Sequence, residues 1–351
     1  MNQFNFNFKD LDNITHIAEA LGCELSFIQF VLDYPASFYH QLCVPRKRRS
    51  EPRIVYEVDD KVKSLHTNIL TSIAAKVKFP VYVQGFVSKR SIVTNASLHL
   101  GHKYVLNLDI KDFFDSIKIK KVASVFEELG CNHEVAFIFA QLCTLNGCLV
   151  QGANTSPILA NLVCIELDKE LVLICQEYEC VYSRYADDIT FSGEKVPTKK
   201  SISQCLEKYD FKLNPDKWKC QCRGKAQYVT GLTVFDEEIP RLPKQMKRHL
   251  RQELYYAYKH GLPEHLEKSG IQDSRGTYIN KIDGLIAFMY SVEPTRAYQF
   301  DTIWQIIRAR EGLSQSRDPA KIFRKWGQQS LSYPSLLEQS IQQVDTSNQL
   351  H

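Results

Sequence analysis

The chain has 351 residues, 44% hydrophobic and 24% charged, a balance that supports a sizeable core and excludes a disordered or collagen-like chain. Formal net charge is only +4, so overall charge argues weakly for a polyanionic partner. Eleven scattered cysteines, odd in number and without a CxxC pair, read as reduced thiols.

The N-terminus, MNQFNFNFKD, lacks a basic-then-apolar leader, and no apolar run approaches the roughly 20 residues of a membrane span. A soluble, cytoplasmic protein without a membrane partner is expected. Leu11, Ile14, Ile17, Ala18 and Leu21 recur at helical spacing and predict one helix over 9–33. The basic stretch PRKRRSEPR (45–53) leads into alternating RIVYEV (53–58), a strand. Residues 59–78 predict a helix with Val62, Leu65, Ile69 and Ile73 on one face. HKYVLNLDI (102–110) reads as a buried strand closing near Asp109, followed by helices over 119–130 and 133–145. Residues 156–176 predict one long helix, with Ser156 as N-cap and Pro157 at its first position. Then come a hairpin over 180–192, a helix over 198–208 and a strand over 227–235. From Pro243 the pattern turns helical, at 244–260, 278–290 and 300–311, before a polar tail rich in Gln and Ser. Basic clusters recur at 45–53, 118–121, 217–225 and 244–252. Together they favour a phosphate-lined groove.

One stretch resists a purely structural reading. YADDITFSG (185–193) sets Asp187 beside Asp188 in strand-like sequence, with Arg184 as the only basic neighbour. Strands disfavour Asp, and adjacent carboxylates repel. An Asx-type turn at a hairpin tip accounts for the dipeptide alone. Upstream, however, LNLDIKDFFDSI (106–117) puts Asp109 at a strand end, with Asp112 and Asp115 following. If that strand lies beside the hairpin, carboxylates distant in sequence converge. Such a set suits hard divalent cations, Mg²⁺ above all, completed by water and substrate phosphates. Two such ions suit phosphoryl transfer.

With QGANTSPILANL (151–162) between those segments and LNPDKWK (213–219) after them, the chain resembles a reverse transcriptase over roughly residues 40–310. The resemblance implies an α+β right-hand polymerase: an N-terminal helical segment (1–35), fingers and palm (36–238), a helical RNA-binding thumb (239–315) and a polar tail (316–351). It implies an RNA-directed DNA polymerase with two Mg²⁺ ions, using Asp109, Asp187 and Asp188 as metal ligands. Lys217 would protonate the leaving pyrophosphate or neutralise its charge. Phe114 falls at the family's sugar-gate position, where a flat ring leaves no room for a 2′-hydroxyl. Gln151, Gly152 and Ile110 would line the nucleotide site, and Arg53 and Lys47 are candidates for clamping the triphosphate.

NASLH (95–99) and YVTGLTV (228–234) are similar to segments of retron reverse transcriptases. That narrower resemblance implies RNA contacts at Asn95, His99, Val229, Thr230 and Gly231. Lys244, Lys247, Arg248 and Arg251, near Tyr255, Tyr256 and Tyr258, are the candidates for gripping an RNA stem. It further implies a dedicated structured non-coding RNA as template and primer, and deoxynucleotides as substrates. Priming from an RNA 2′-hydroxyl would give a branched RNA–DNA hybrid, in a bacterial anti-phage system with an effector protein. A reverse transcriptase of another bacterial class and a non-catalytic RNA-binding scaffold stay open as alternatives.

Overall fold

The computed structural model describes residues 5–45, 52–270 and 274–313. Lys47 and the tail from 316 onward lie outside the described residues. Helix α1 (Ile14–Leu21) closes at Gly22, φ 68°, before α2 (Leu25–Asp33) begins. The single helix expected over 9–33 is therefore two. Strands β1 (Tyr39–Val44) and β2 (Arg53–Val58) pair antiparallel, and α3 (Asp60–Ala74) starts where Asp59 caps the Lys61 amide. Next come the short α4 (Ile92–Ser97), strand β3 (Tyr104–Asp109) and the single turn α5 (Phe113–Ser116). Helices α6 (Ile119–Glu128) and α7 (His133–Cys143) match expectation. The long helix predicted over 156–176 is interrupted at Cys164, giving α8 (Ser156–Val163) and α9 (Ile165–Glu177). Ser156 is the first helical residue rather than the cap, which falls on Thr155. Strands β4 (Val181–Tyr185) and β5 (Asp188–Gly193) form the expected hairpin, followed by α10 (Lys199–Lys208) and β6 (Lys219–Cys222).

The strand expected over 227–235 is instead a tight hairpin of β7 (Tyr228–Val229) and β8 (Leu232–Thr233). Its turn residues Thr230 and Gly231 both have positive φ, 45° and 85°, the signature of a type I′ hairpin turn. The remaining elements are α11 (Lys244–His260), α12 (Leu262–Lys268), α13 (Arg275–Val292) and α14 (Pro294–Arg310). The described residues thus hold fourteen α-helices with a four-stranded sheet ordered β4-β5-β3-β6. The fold is mixed α and β.

Two compact units divide the chain. The first comprises residues up to Arg90 together with Leu106–Cys220; the second comprises Ser91–Val105 and the described residues from Gln221. In the first, Phe8 from the N-terminal segment meets Phe126 and Phe139 at 5.7 and 5.4 Å. Residues 5–33 thus belong to the core that carries β3 and the hairpin. In the second, Tyr278, Ile282, Ile286, Met289 and Trp304 are buried among α11, α13 and α14. The Trp304 indole donates to Asp283 at 2.8 Å, satisfying a buried N–H that would otherwise be costly.

Candidate active site

Ala186 and Asp187 form the two-residue connection between Tyr185 and Asp188, which pair across the β4–β5 hairpin. Ala186 has φ 60°, a position where such turns prefer glycine, at a cost of about 1–2 kcal/mol. That strain has identifiable restraints. The Arg184 guanidinium donates to the Ala186 carbonyl at 3.3 Å. Gly85 packs so closely behind the turn that an added Cβ would lie 2.3 Å from the Ala186 nitrogen.

The turn is docked on the end of β3. The Ile110 amide donates to the Asp187 carbonyl at 3.0 Å, which sets Asp187 beside Asp109. On the other side of Asp109, the Asn214 amide donates to its carbonyl and the Asn214 side chain to its Oδ1, both at 2.8 Å. The Lys217 ammonium pairs with Asp109 Oδ2. Burial and the neighbouring charges of Asp109 and Asp188 push the Asp187 carboxyl up to about 7. Asp188, the exposed first residue of β5, is raised as well, by desolvation, with Lys217 pulling the other way and Asp109 adding to the rise.

The Lys217 ammonium is the positive charge these carboxylates meet among the contacts described above. Among the described residues, no group of three His, Cys, Asp or Glu side chains is arranged to enclose an ion alone. The donor chemistry nevertheless fits a hard divalent cation. Two close carboxylates supply oxygen ligands, and such ions commonly complete their shell with water and substrate phosphates.

Behind the turn lies an ion-pair network the sequence did not announce. Arg184, with 0% exposure, donates from Nε and Nη2 to both oxygens of Asp168 at 2.7 and 2.6 Å. Its Nη1 reaches Asn161 Oδ1 at 3.0 Å, and the Asn161 amide donates to the Gly85 carbonyl at 2.9 Å. Tyr182 donates to Asp168 at 2.6 Å. Burial opposes the guanidinium's charge, but Asp168 outweighs it and holds the Arg184 pKa above its ordinary value. Arg184, next to YADD in sequence, thus pairs with Asp168 rather than with Asp187 or Asp188. The available signal was Asp168 itself, a carboxylate between Leu167 and Leu171 on an apolar helix face.

The other described residues expected at the nucleotide site lie in the same unit. The Tyr56 amide on β2 donates to the Gln151 carbonyl at 2.8 Å, and the Arg53 guanidinium bonds the Gln151 side chain. Gly152 has φ 116°, and a Cβ there would fall 1.9 Å from the Tyr56 carbonyl oxygen. Gly152→Ala is therefore expected to force β2 away from Gln151 and Gly152. It should cost about 2–3 kcal/mol and raise KM for the incoming nucleotide, measurable by denaturant melts and single-nucleotide kinetics. Phe114 is half-buried in the one turn after β3, 5.4 Å from buried Phe113.

The second unit brings NASLH and VTG together. Thr230 Oγ1 donates to the Ile92 carbonyl at 3.2 Å and lies 3.4 Å from the Asn95 side-chain nitrogen. Asn95, His99 and Val229 are interior, so their side chains offer no surface to a ligand; Gly231 is exposed at the turn. Burial and the nearby His102 push the His99 pKa down to about 3, leaving its ring neutral. Lys247 is also committed internally, with its ammonium 2.9 and 3.1 Å from the two Glu293 oxygens. Lys244, Arg248 and Arg251 stay exposed on α11, and so does Tyr255, with the Lys259 ammonium 5.8 Å from its ring centroid.

A strand-end aspartate docked against an aspartate in a hairpin turn is an arrangement suited to nucleotidyl transfer. The family of reverse transcriptases (RNA-dependent DNA polymerases) matches residues 44–269, and this chain belongs to that family. Members of the family use divalent metal ions. The chain is similar to retron reverse transcriptases in particular. It is 32% identical over 313 residues to the Retron Mx65 reverse transcriptase of Myxococcus xanthus, covering 80% of this chain and 68% of that protein. Identity to the Retron Mx162 reverse transcriptase of the same organism is 27%, covering 83% of this chain and 66% of the relative. For the Retron Ec86 reverse transcriptase of Escherichia coli it is 26%, covering 72% and 81%. The chain spans about two thirds of the length of both Myxococcus relatives. No helix among the described residues is long and apolar enough to cross a membrane.

Proposed function

We propose that this chain is the RNA-directed DNA polymerase of a retron. It would copy a dedicated structured RNA into single-stranded DNA, priming from an RNA 2′-hydroxyl to leave a branched hybrid. The observation that carries the reading is the docking of Asp187 against Asp109 by the Ile110 amide. In this reading the first unit supplies fingers and palm, and the helices from α11 onward supply a thumb.

Asp109, Asp187 and the neighbouring Asp188 would hold two Mg²⁺ ions, which supply charge stabilisation at the attacking and leaving oxygens. The chain's own residues do the rest. Gln151 and Gly152 form one wall for the nascent base pair, with the backbone of β2 pressed behind it. Arg53 reaches the triphosphate from that wall, and Lys217 turns from Asp109 to the departing pyrophosphate. Phe114 closes the space where a 2′-hydroxyl would sit. Lys244, Arg248 and Arg251 present an exposed basic face on α11 suited to RNA phosphates, and Tyr255 beside them suits stacking. Thr230 and Gly231 offer a further contact at the hairpin turn. A cytoplasmic setting and, with an effector protein, a role in defence against phage complete this reading.

Purification from the native operon and sequencing of bound nucleic acid tests this reading. DNA joined through a 2′,5′ linkage to one specific RNA is the expected result. Unbranched DNA copied from many RNAs would favour another bacterial class of reverse transcriptase. Bound RNA without any DNA would favour a scaffold.

A further inference from the structure

We infer that Phe86 sets sugar selectivity by buttressing Phe114, an inference that rests on the gate role proposed for Phe114. The two rings stand 6.2 Å apart between centroids at 44°. Phe114 needs such support because its backbone supplies little. It sits in a helix of only four residues, entered through Asp112 at φ 47°, and one isolated turn resists distortion weakly. Side chains must hold the ring instead. One neighbouring ring is Phe113, buried and 6.0 Å from Phe211. The other is Phe86.

Phe86 combines features that core packing does not explain. The residue is 45% exposed, and its backbone has φ 60°, a conformation that bulky residues avoid unless the surroundings enforce it. Here the surroundings do so. Gly85 is wedged behind the catalytic turn, where even a Cβ would collide with the Ala186 nitrogen. The Gly85 carbonyl is held by Asn161 at 2.9 Å, and the Gln84 amide donates to the Arg184 carbonyl at 2.7 Å. Arg90 closes the loop, its guanidinium bonding the carbonyls of Phe79 at 2.7 Å, Pro80 and Val83. An exposed aromatic is thus presented in a fixed position beside the gate, on a loop clamped to the catalytic hairpin. Strain retained at such a place points to positioning, and the ring it positions is Phe114.

The test measures kcat/KM for one deoxynucleotide and its matching ribonucleotide on a primed RNA template. Each enzyme reports a ratio, so a general loss of folded or active protein cancels. Phe114→Ala establishes the gate by raising ribonucleotide use. Phe86→Ala is expected to raise the ribonucleotide-to-deoxynucleotide ratio about tenfold. Phe86→Tyr, which keeps the ring, should stay near wild type, and Phe86→Leu should fall between. Because Phe86 acts through Phe114, the double variant should be no more permissive than Phe114→Ala alone. A wild-type ratio in Phe86→Ala and Phe86→Leu, with Phe114→Ala permissive, would overturn the buttress and leave the gate standing. A double variant more permissive than Phe114→Ala would also overturn it. Unchanged selectivity in Phe114→Ala would overturn the gate itself and the buttress with it.

Discussion

Asp187→Asn should abolish primer extension, with a loss of at least about a thousandfold, because a ligand worth several kcal/mol of transition-state charge stabilisation is removed. The substitution preserves shape and removes only charge, so RNA binding should persist. Extension at the wild-type rate would refute the assignment. The same variant carries a second signature. In the metal-free protein the folded-state pKa of Asp187 is raised to about 7 by burial and the adjacent carboxylates. The folded state therefore holds a proton that the unfolded chain has released. Stability from this group is fully present below the ordinary carboxylate pKa, near 4, and is lost as pH rises through about 7. Asn cannot make that transition. Metal-free Asp187→Asn should match wild type at pH 4 and exceed it above pH 7, by up to about 4 kcal/mol. Thermal melts across that range in chelator read the difference. A variant less stable than wild type at pH 8 would show that the carboxylates do not repel one another in the folded chain.

The carboxylates were legible because their chemistry leaves marks that survive without a structure. Asp109 ends an alternating strand and Asp187 interrupts another, and neither position suits a charge unless the charge is used. The Ile110–Asp187 bond that joins them was not legible, since backbone pairing between distant segments leaves no composition signal. Helix interruptions at Gly22 and Cys164 were missed for different reasons. The first lies between two segments whose apolar periodicity continues across it. The second has no breaking residue at all. VTG looked like one strand because Tyr228, Val229, Leu232 and Thr233 are all good strand formers. Only the positive φ at both Thr230 and Gly231 turns them into two. Which basic residues of α11 face solvent was not legible, because sequence alone does not separate an exposed lysine from one paired inside the fold. Lys244 and Lys247 read alike, yet Lys247 points inward at Glu293.

Arg184→Met should destabilise the first unit by about 3–5 kcal/mol, the usual cost of leaving a buried carboxylate without its partner. Asp168 would then sit at 1% exposure, bonded only by Tyr182 among the contacts described above. Arg184→Lys should recover only part of the loss, since an ammonium cannot bond both Asp168 oxygens and Asn161 in one plane. The double variant Asp168→Met with Arg184→Met removes both charges and should regain most of the stability, as buried pairs replaced by apolar side chains commonly do. Stability and function then separate. If the network exists only to satisfy its own members, the double variant will extend primers as well as wild type. The geometry predicts otherwise, because Arg184 also holds the Ala186 carbonyl and, through Asn161, the Gly85 carbonyl. Those contacts keep the strained Ala186 in place, and with it the carboxylate one residue further on. Without them the turn can relax toward an ordinary conformation, and displacement of a catalytic group by about 1 Å costs as much as a hundredfold in rate. The double variant should therefore melt near wild type yet turn over at least tenfold more slowly, with the deficit in kcat rather than in KM for the deoxynucleotide. A stable double variant with wild-type kcat would confine Arg184 to the fold.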